Sequence, residues 1–199
     1  MTGKTGQGRK FEIEDALQAA LLVFWRHGYE GTSLAKLTEA MGINPPSLYK
    51  AFGSKEELFF NVVEYYNATH GSFMARAFAE EQDGGVLIER LLREAADQYP
   101  STSFPGGCLV ISAAVAVTEA SKHVAERLAA MRNENIQALA DREGVSLEAA
   151  RFVGATLQGM SQQARDGASA AELHRIVDFA MAGLQQNGIL PASKTAVML

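Results

Sequence analysis

The chain has 199 residues, is 47% hydrophobic and 21% charged, and carries a formal net charge of −5. This composition suits one moderate globular domain or a small one joined to a larger one, and the single cysteine excludes an intramolecular disulfide and a Cys-rich zinc site. No apolar run approaches the ~20 residues of a membrane span, and MTGKTGQGRK at the start lacks the apolar core of a signal peptide, so a cytoplasmic protein is expected.

Almost every segment repeats its apolar residues with helical spacing, and none alternates as a strand would. The expected class is therefore all-α, with about nine helices. The first covers about Phe11 to His27, with Ile13, Leu17, Ala20, Leu21 and Phe24 on one face and Gly28 as its stop. Thr32 or Ser33 caps a second helix that buries Leu34, Leu37 and Met41 and ends at Gly42. Asn44 is a favoured N-cap, which puts Pro45 and Pro46 at the first two helical positions. There the backbone N–H groups have no intrahelical partner and proline's fixed φ is already helical. The proline pair thus sets the start of a short helix that ends near Phe52, with Gly53 as the turn.

Ser54 and Glu57 have the S-x-x-E spacing of a capping box and open a long helix through about Glu81. Three further segments follow: GGVLIERLLREAADQY, bounded by Pro100 and Pro105; GGCLVISAAVAVTEA; and SKHVAERLAAMRNENIQALADRE, ended by Gly144. The last two helices run from Ser146 to Asp166 and from Ser169 to Gln186. Residues 1–10 are glycine-rich, with Lys4, Arg9 and Lys10, and read as a flexible basic arm suited to phosphates or a minor groove.

Catalytic chemistry finds no support. His27, His70, His123 and His174 are scattered, with no H-E-x-x-H or C-x-x-C spacing. There is no G-x-S-x-G and no G-x-G-x-x-G. GKT at residues 3–5 imitates the end of a phosphate loop without the glycine and strand that must precede it. No catalytic residue, metal ligand set or cofactor is expected.

The positive signal lies between Thr32 and Phe52. Ile43, Leu48 and Phe52 point to one side of the short helix, which leaves Asn44, Pro45, Pro46, Ser47, Tyr49 and Lys50 on the other. A two-turn helix held from behind with a small polar front has the geometry that enters a major groove. Tyr49 and Lys50 reach toward phosphates, and Lys55 sits at the positive end of the next helix, a further phosphate position. Charge agrees: residues 1–55 carry a net +2 and residues 56–199 a net −7, a basic head on an acidic body.

GYEGTSLAKLTEAMGINPPSLYKAFGSKEELF resembles the N-terminal domain of the tetracycline-repressor (TetR) family of bacterial transcriptional regulators. The resemblance rests on Phe24…Gly28, Gly31-Thr32-Ser33, the helix ending at Gly42, Leu48-Tyr49 with Phe52, and Ser54-Lys55-Glu56-Glu57-Leu58. It covers residues 11–60. It implies a three-helix helix-turn-helix domain over residues 1–55 and a larger helical effector-binding and dimerisation domain over 56–199. It also implies a homodimeric repressor released from a palindromic double-stranded DNA operator by a small-molecule effector. Thr32 or Ser33, Tyr49 and Lys55 fall at phosphate-contact positions, and Asn44 to Ser47 at the base-facing segment. Three positions depart from the usual pattern: Pro45 replaces a frequent lysine or arginine, Pro46 a common glycine, and Ala51 a common histidine. The operator consensus of other members therefore does not transfer.

The resemblance further implies that the last two helices form a four-helix bundle with those of a second copy, through Phe152, Val153, Leu157, Ile176, Val177, Ala180 and Leu184. An effector pocket is expected among the helices between Tyr65 and Gln163. Candidate lining residues are His70, Phe73, Met74, Phe78, Tyr99, Phe104, Cys108, Ile111, Ser112 and Met160. Two alternatives stay open: a thiol- or metal-responsive regulator acting through Cys108, and a DNA binder that answers to no ligand.

Overall fold

The computed structural model describes residues 7–186 and Gly188. Ten α-helices and one 3-10 turn make up the described chain, and no strand occurs among the described residues. In order they are α1 (Gln7–His27), α2 (Leu34–Met41), α3 (Pro45–Phe52), α4 (Lys55–Ala68) and α5 (Ser72–Glu80). Then come α6 (Gly84–Gln98), the single turn α7 (Leu109–Ser112), the 3-10 turn Glu119–Ser121, α8 (Lys122–Ala140), α9 (Leu147–Arg165) and α10 (Ala170–Gln186). Gln7 to Lys10, expected in a flexible arm, belong to α1; residues 1–6, with Lys4, lie outside the described residues.

Two compact units share the chain. The first holds residues up to Ser72 together with Leu109–Leu128; the second holds Phe73–Cys108 together with the residues from Ala129 on. The chain passes between them three times, and the third passage lies inside α8. The division expected at residue 55 is a different cut: packing joins α4 and residues 109–128 to α1, α2 and α3.

In the first unit α1 packs on α2 and α4, and α7 lies against α1 and α4. Phe24, Tyr29 and Phe59 form its centre, with the Phe59 ring 5.0 Å from Phe24 and 5.1 Å from Tyr29. Leu37, Leu48 and Leu58 are buried around them, and each such side chain withdrawn from water stabilises by about 1.5–3 kcal/mol. Several contacts tie residues 113–127 to the rest of this unit. Tyr29 N–H donates to the Ala113 carbonyl, Thr118 donates to Glu30, His123 meets Glu56 at 2.8 Å, and the Arg127 guanidinium lies 3.7 Å from the Phe60 ring centre.

The helix expected from Ser54 to Glu81 is two helices. Thr69 Oγ1 donates to the Tyr65 carbonyl at 2.7 Å, and the Gly71 N–H turns back to the Tyr66 carbonyl at 2.8 Å. These bonds end α4 at Ala68, and Ser72 starts α5. GGCLVISAAVAVTEA is likewise one helical turn, Leu109–Ser112, and a 3-10 turn rather than a continuous helix.

The second unit is organised on α6, which packs against both α9 and α10. Leu87, Ile88, Leu91, Leu92 and Ala95 of α6 are buried, as are Ala149, Val153 and Leu157 of α9 and Leu173, Val177 and Leu184 of α10. Its helices start on well-formed caps. Asp83 accepts from the Val86 N–H, Ser146 from the Ala149 N–H, and Ser169 and Glu172 bond reciprocally as a capping box. The Arg90 guanidinium takes carboxylates from Glu80, Glu81 and Glu94 at 2.6–2.7 Å, joining the end of α5 to α6.

Candidate nucleic-acid interface

The α2–turn–α3 unit is built by three caps. Ser33 Oγ accepts from the Lys36 N–H at 3.2 Å and starts α2. Gly42 closes it at φ 63°, a left-handed conformation that suits a residue without Cβ, and its N–H donates to the Glu39 carbonyl. Two residues later Asn44, in an extended conformation, takes the Ser47 N–H on Oδ1 at 2.9 Å and starts α3. Pro45 and Pro46 then occupy N1 and N2 as expected, so neither removes a helical hydrogen bond.

Leu48 and Phe52 are buried, and Ile43 is half-buried. They hold α3 from behind. Asn44, Pro45, Pro46, Ser47, Tyr49 and Lys50 are all exposed, Tyr49 by 47%. Because Asn44 Oδ1 is used by the cap, its free function toward DNA is the amide NH₂, a donor. The presented end of α3 thus combines donors, a hydroxyl, two apolar rings and one ammonium.

The flanking residues differ from expectation in useful ways. Thr32 is 1% exposed and its hydroxyl donates to the Gly28 carbonyl at 2.7 Å. Its side chain therefore locks the turn and is not offered to a phosphate; of the expected pair, Ser33 is the exposed one. Lys55 is half-buried, with Nζ 4.3 Å from the centre of the Tyr29 ring. Burial lowers its pKa while Glu30 acts in the opposite sense, so the ammonium is held at the start of α4 instead of swinging freely. Tyr29 supplies this platform, a role that spacing alone does not reveal. Lys36 is also exposed, with Nζ on the Gly31 carbonyl at 3.1 Å, and adds a basic group at the head of α2 that the sequence reading passed over.

Residues 16–62, which include this whole unit, match the pattern described as bacterial regulatory proteins, tetR family. The HTH-type transcriptional repressor BdcR of Escherichia coli strain K12 is 31% identical over 190 residues, spanning 89% of this chain and 90% of that protein. The chain belongs to the TetR family. The repressor ComR of the same strain is 33% identical over 184 residues, covering 86% of this chain and 88% of ComR. A cysteine-substituted form of the TetR-family regulator CifR, solved with 26-bp double-strand operator DNA, superposes with a TM-score of 0.78 at 36% identity. It spans 92% of this chain and 98% of its own. This TetR-family chain is accordingly a DNA-binding transcriptional regulator and not an enzyme.

The candidate effector residues of this TetR-family protein separate between the two units. His70, Ile111 and Ser112 lie in the first, where His70 packs on the rings of Trp25 and Tyr66. Phe73, Met74, Phe78, Tyr99, Phe104, Cys108 and Met160 lie in the second. There the Phe73 and Tyr99 rings are 6.3 Å apart, and Cys108 and Met160 are buried, whereas Phe104 is exposed. Phe78 is half-buried, and its carbonyl accepts from Arg142 at 2.5 Å. Among the described residues no three His, Cys, Asp or Glu side chains gather as metal ligands.

The residues of the expected dimer seam differ in exposure. Val153, Leu157, Val177, Ala180 and Leu184 are buried within their own unit, where α9 and α10 pack on α6 and on each other. Their side chains are spent inside one copy. Ile176 is half-buried. Of the expected set only Phe152, 45% exposed, points outward, and Phe179, 80% exposed, joins it on α10.

Proposed function

We propose that this protein is a transcriptional repressor that binds a palindromic operator as a homodimer and is released by a small-molecule effector held in its second unit. The observation that carries the reading is α3: capped by Asn44, held by buried Leu48 and Phe52, and presenting Pro45, Pro46, Ser47, Tyr49 and Lys50 to solvent. Asn44 to Ser47 face bases, the two proline rings suiting thymine methyls. Ser33, Tyr49, Lys50 and Lys55 take phosphates and set the register. The names of the relatives support repression, since BdcR and ComR are both called repressors. A DNA-bound CifR supports an operator as the target. A protein acting on chromosomal DNA works in the cytoplasm.

The head, nominally residues 1–55, is too small to bind tightly alone, so two copies read half-sites about 34–36 Å apart. Their joint is the outward strip of α9 and α10. The effector acts through the chain itself, which enters the head unit at Leu109 and leaves it within α8 at Leu128. Effector binding that favours one position of these segments over another shifts operator affinity, and the coupling is reciprocal.

The test is in vitro selection of bound duplexes from a random pool by the full-length protein. Recovered sites should be inverted repeats. On such a site Lys50→Ala should weaken binding to every sequence alike and shallow the salt slope by about one unit of log K per log salt. Ser47→Ala should instead alter which bases are preferred. Selection of single unrepeated half-sites, or a Lys50→Ala protein with unaltered salt dependence, would sink this reading.

A further inference from the structure

Lys55 has two carboxylates for neighbours, and among the described residues its ammonium forms a salt bridge with neither. Its Nζ lies 4.3 Å from the centre of the Tyr29 ring. Glu30 follows Tyr29 in the chain, and Glu56 follows Lys55 as the second residue of α4. Both acids are already taken, and by the same short segment. Glu30 accepts from the Thr118 N–H at 2.9 Å and from Thr118 Oγ1 at 2.8 Å, and the Ser121 hydroxyl bonds it as well. Glu56 Oε2 lies 2.8 Å from His123 Nε2. The Tyr29 N–H, donating to the Ala113 carbonyl at 2.6 Å, anchors the chain just before this segment. All of these residues belong to the first unit.

An ammonium beside free carboxylates pairs with them, and a DNA phosphate must then displace the pair. Here the two acids surround the platform on which the ammonium sits. Burial first, then the charges of Glu56 and Glu30, raise the Tyr29 phenol pKa, and the Glu30 charge also acts on Lys55. Glu56 competes in a second way. At the start of α4 a carboxylate is drawn to the same positive helix end that suits a phosphate. The Thr118 and Ser121 donors occupy the lone pairs of Glu30 and fix its direction. An ionised carboxylate only accepts, so His123 Nε2 carries the hydrogen in its bond to Glu56. Contacts as exposed as that of His123 with Glu56 add little to stability, which makes their place around Lys55 the informative feature.

We propose that Thr118, Ser121 and His123 are positioning residues for DNA binding: by occupying Glu30 and Glu56 they leave the Lys55 ammonium, seated on the Tyr29 ring, to a backbone phosphate. This rests on the reading of Lys55 as a phosphate contact. With residues 118–123 in place, the phosphate meets an ammonium that no carboxylate has claimed. With their side chains removed, Glu30 and Glu56 turn to Lys55, and affinity falls although α3 is unchanged. In this scheme none of the three touches DNA; each acts through the acid it holds. The loss is the same for every sequence, because phosphate contacts carry no base information.

The test measures binding of full-length protein to the selected duplexes and to a random-sequence duplex pool, each across a salt series. Lys55→Ala should weaken both and shallow the salt slope by about one unit of log K per log salt. The triple variant Thr118→Pro, Ser121→Ala, His123→Ala should weaken both by about tenfold and shallow the slope to match. Thr118 already has φ −70°, so proline removes both of its donors without straining its own backbone. Adding Glu30→Gln and Glu56→Gln to the triple variant should restore affinity and slope, because an amide does not pair with the ammonium as a carboxylate does. A merely structural role would leave that protein as weak as before. In a Lys55→Ala background the triple change should cost less than about twofold more. Wild-type affinity in the triple variant, no rescue by the two glutamines, or an undiminished cost in the Lys55→Ala background overturns the proposal and leaves the DNA-binding reading standing. Lys55→Ala that binds both probes as wild type does overturns the phosphate contact and this proposal with it.

Discussion

Glu30 shows how much one exposed side chain can organise in the head unit. Its Oε1 accepts from the Thr118 N–H at 2.9 Å and from Thr118 Oγ1 at 2.8 Å. The Ser121 hydroxyl, with these two bonds, holds the carboxyl pKa down to about 2. In the unfolded chain the group titrates near ~4.3. The unfolded state therefore binds a proton between those values that the folded state does not, so the contribution is complete above pH ~4.3 and is lost as pH falls toward 2. Urea midpoints of wild type should decline across that window, and those of Glu30→Gln should decline less. Equal slopes for the two proteins would mean that the carboxylate is not held by residues 118–121. Nothing in spacing pointed to Glu30, because its partners are 88 residues away.

At the scale of the element, the short helices were the legible part. Asn44, Pro45, Gly42 and Ser33 each act locally through a cap or a fixed φ, and each stands where the sequence put it. The break between α4 and α5 was missed, although Thr69 and Gly71 are both helix-ending residues. The apolar periodicity simply runs on across them, through Phe59, Val63 and Tyr66 into Phe73 and Ala77, all buried. Gly71 matters here for space: a Cβ would lie 2.8 Å from Tyr66 Cε1. That ring is 3% exposed and packed edge-on to Trp25, so it has little room to give. Gly71→Ala should lower stability by about 1–3 kcal/mol in denaturant unfolding. A neutral Gly71→Ala would show that the ring can move aside. Because α4 ends at Ala68, the single helix expected from Ser54 to Glu81 does not exist, and α8 is the helix within which the chain passes from the first unit to the second.

The assembly is where sequence reading reached least, and the reason is physical. A buried face and an interface face have the same apolar signature, so periodicity selected Val153, Leu157, Val177 and Leu184 for a seam that a single copy has already filled. Among the exposed residues are Phe152, Ala155 and Gly159 on α9, and Arg175, Phe179 and Ala182 on α10, recurring at three- and four-residue steps. A Cβ at Gly159 would meet nothing within 4 Å. Small residues beside two outward phenyl rings let a second copy approach closely while each ring finds an apolar bed. Phe179 is the informative position, since at 80% exposure it contributes little to its own copy's core. Phe179→Asp should leave the thermal midpoint of a dilute sample nearly unchanged but bring the sedimenting species to monomer mass. Operator affinity should fall by at least about tenfold, because each head then binds without the second half-site. If Phe179→Asp stays dimeric with undiminished affinity, the outward strip of α9 and α10 is not the joint. Val86 and Leu147, the other large exposed apolar side chains on helices among the described residues of this unit, would then be the next to change.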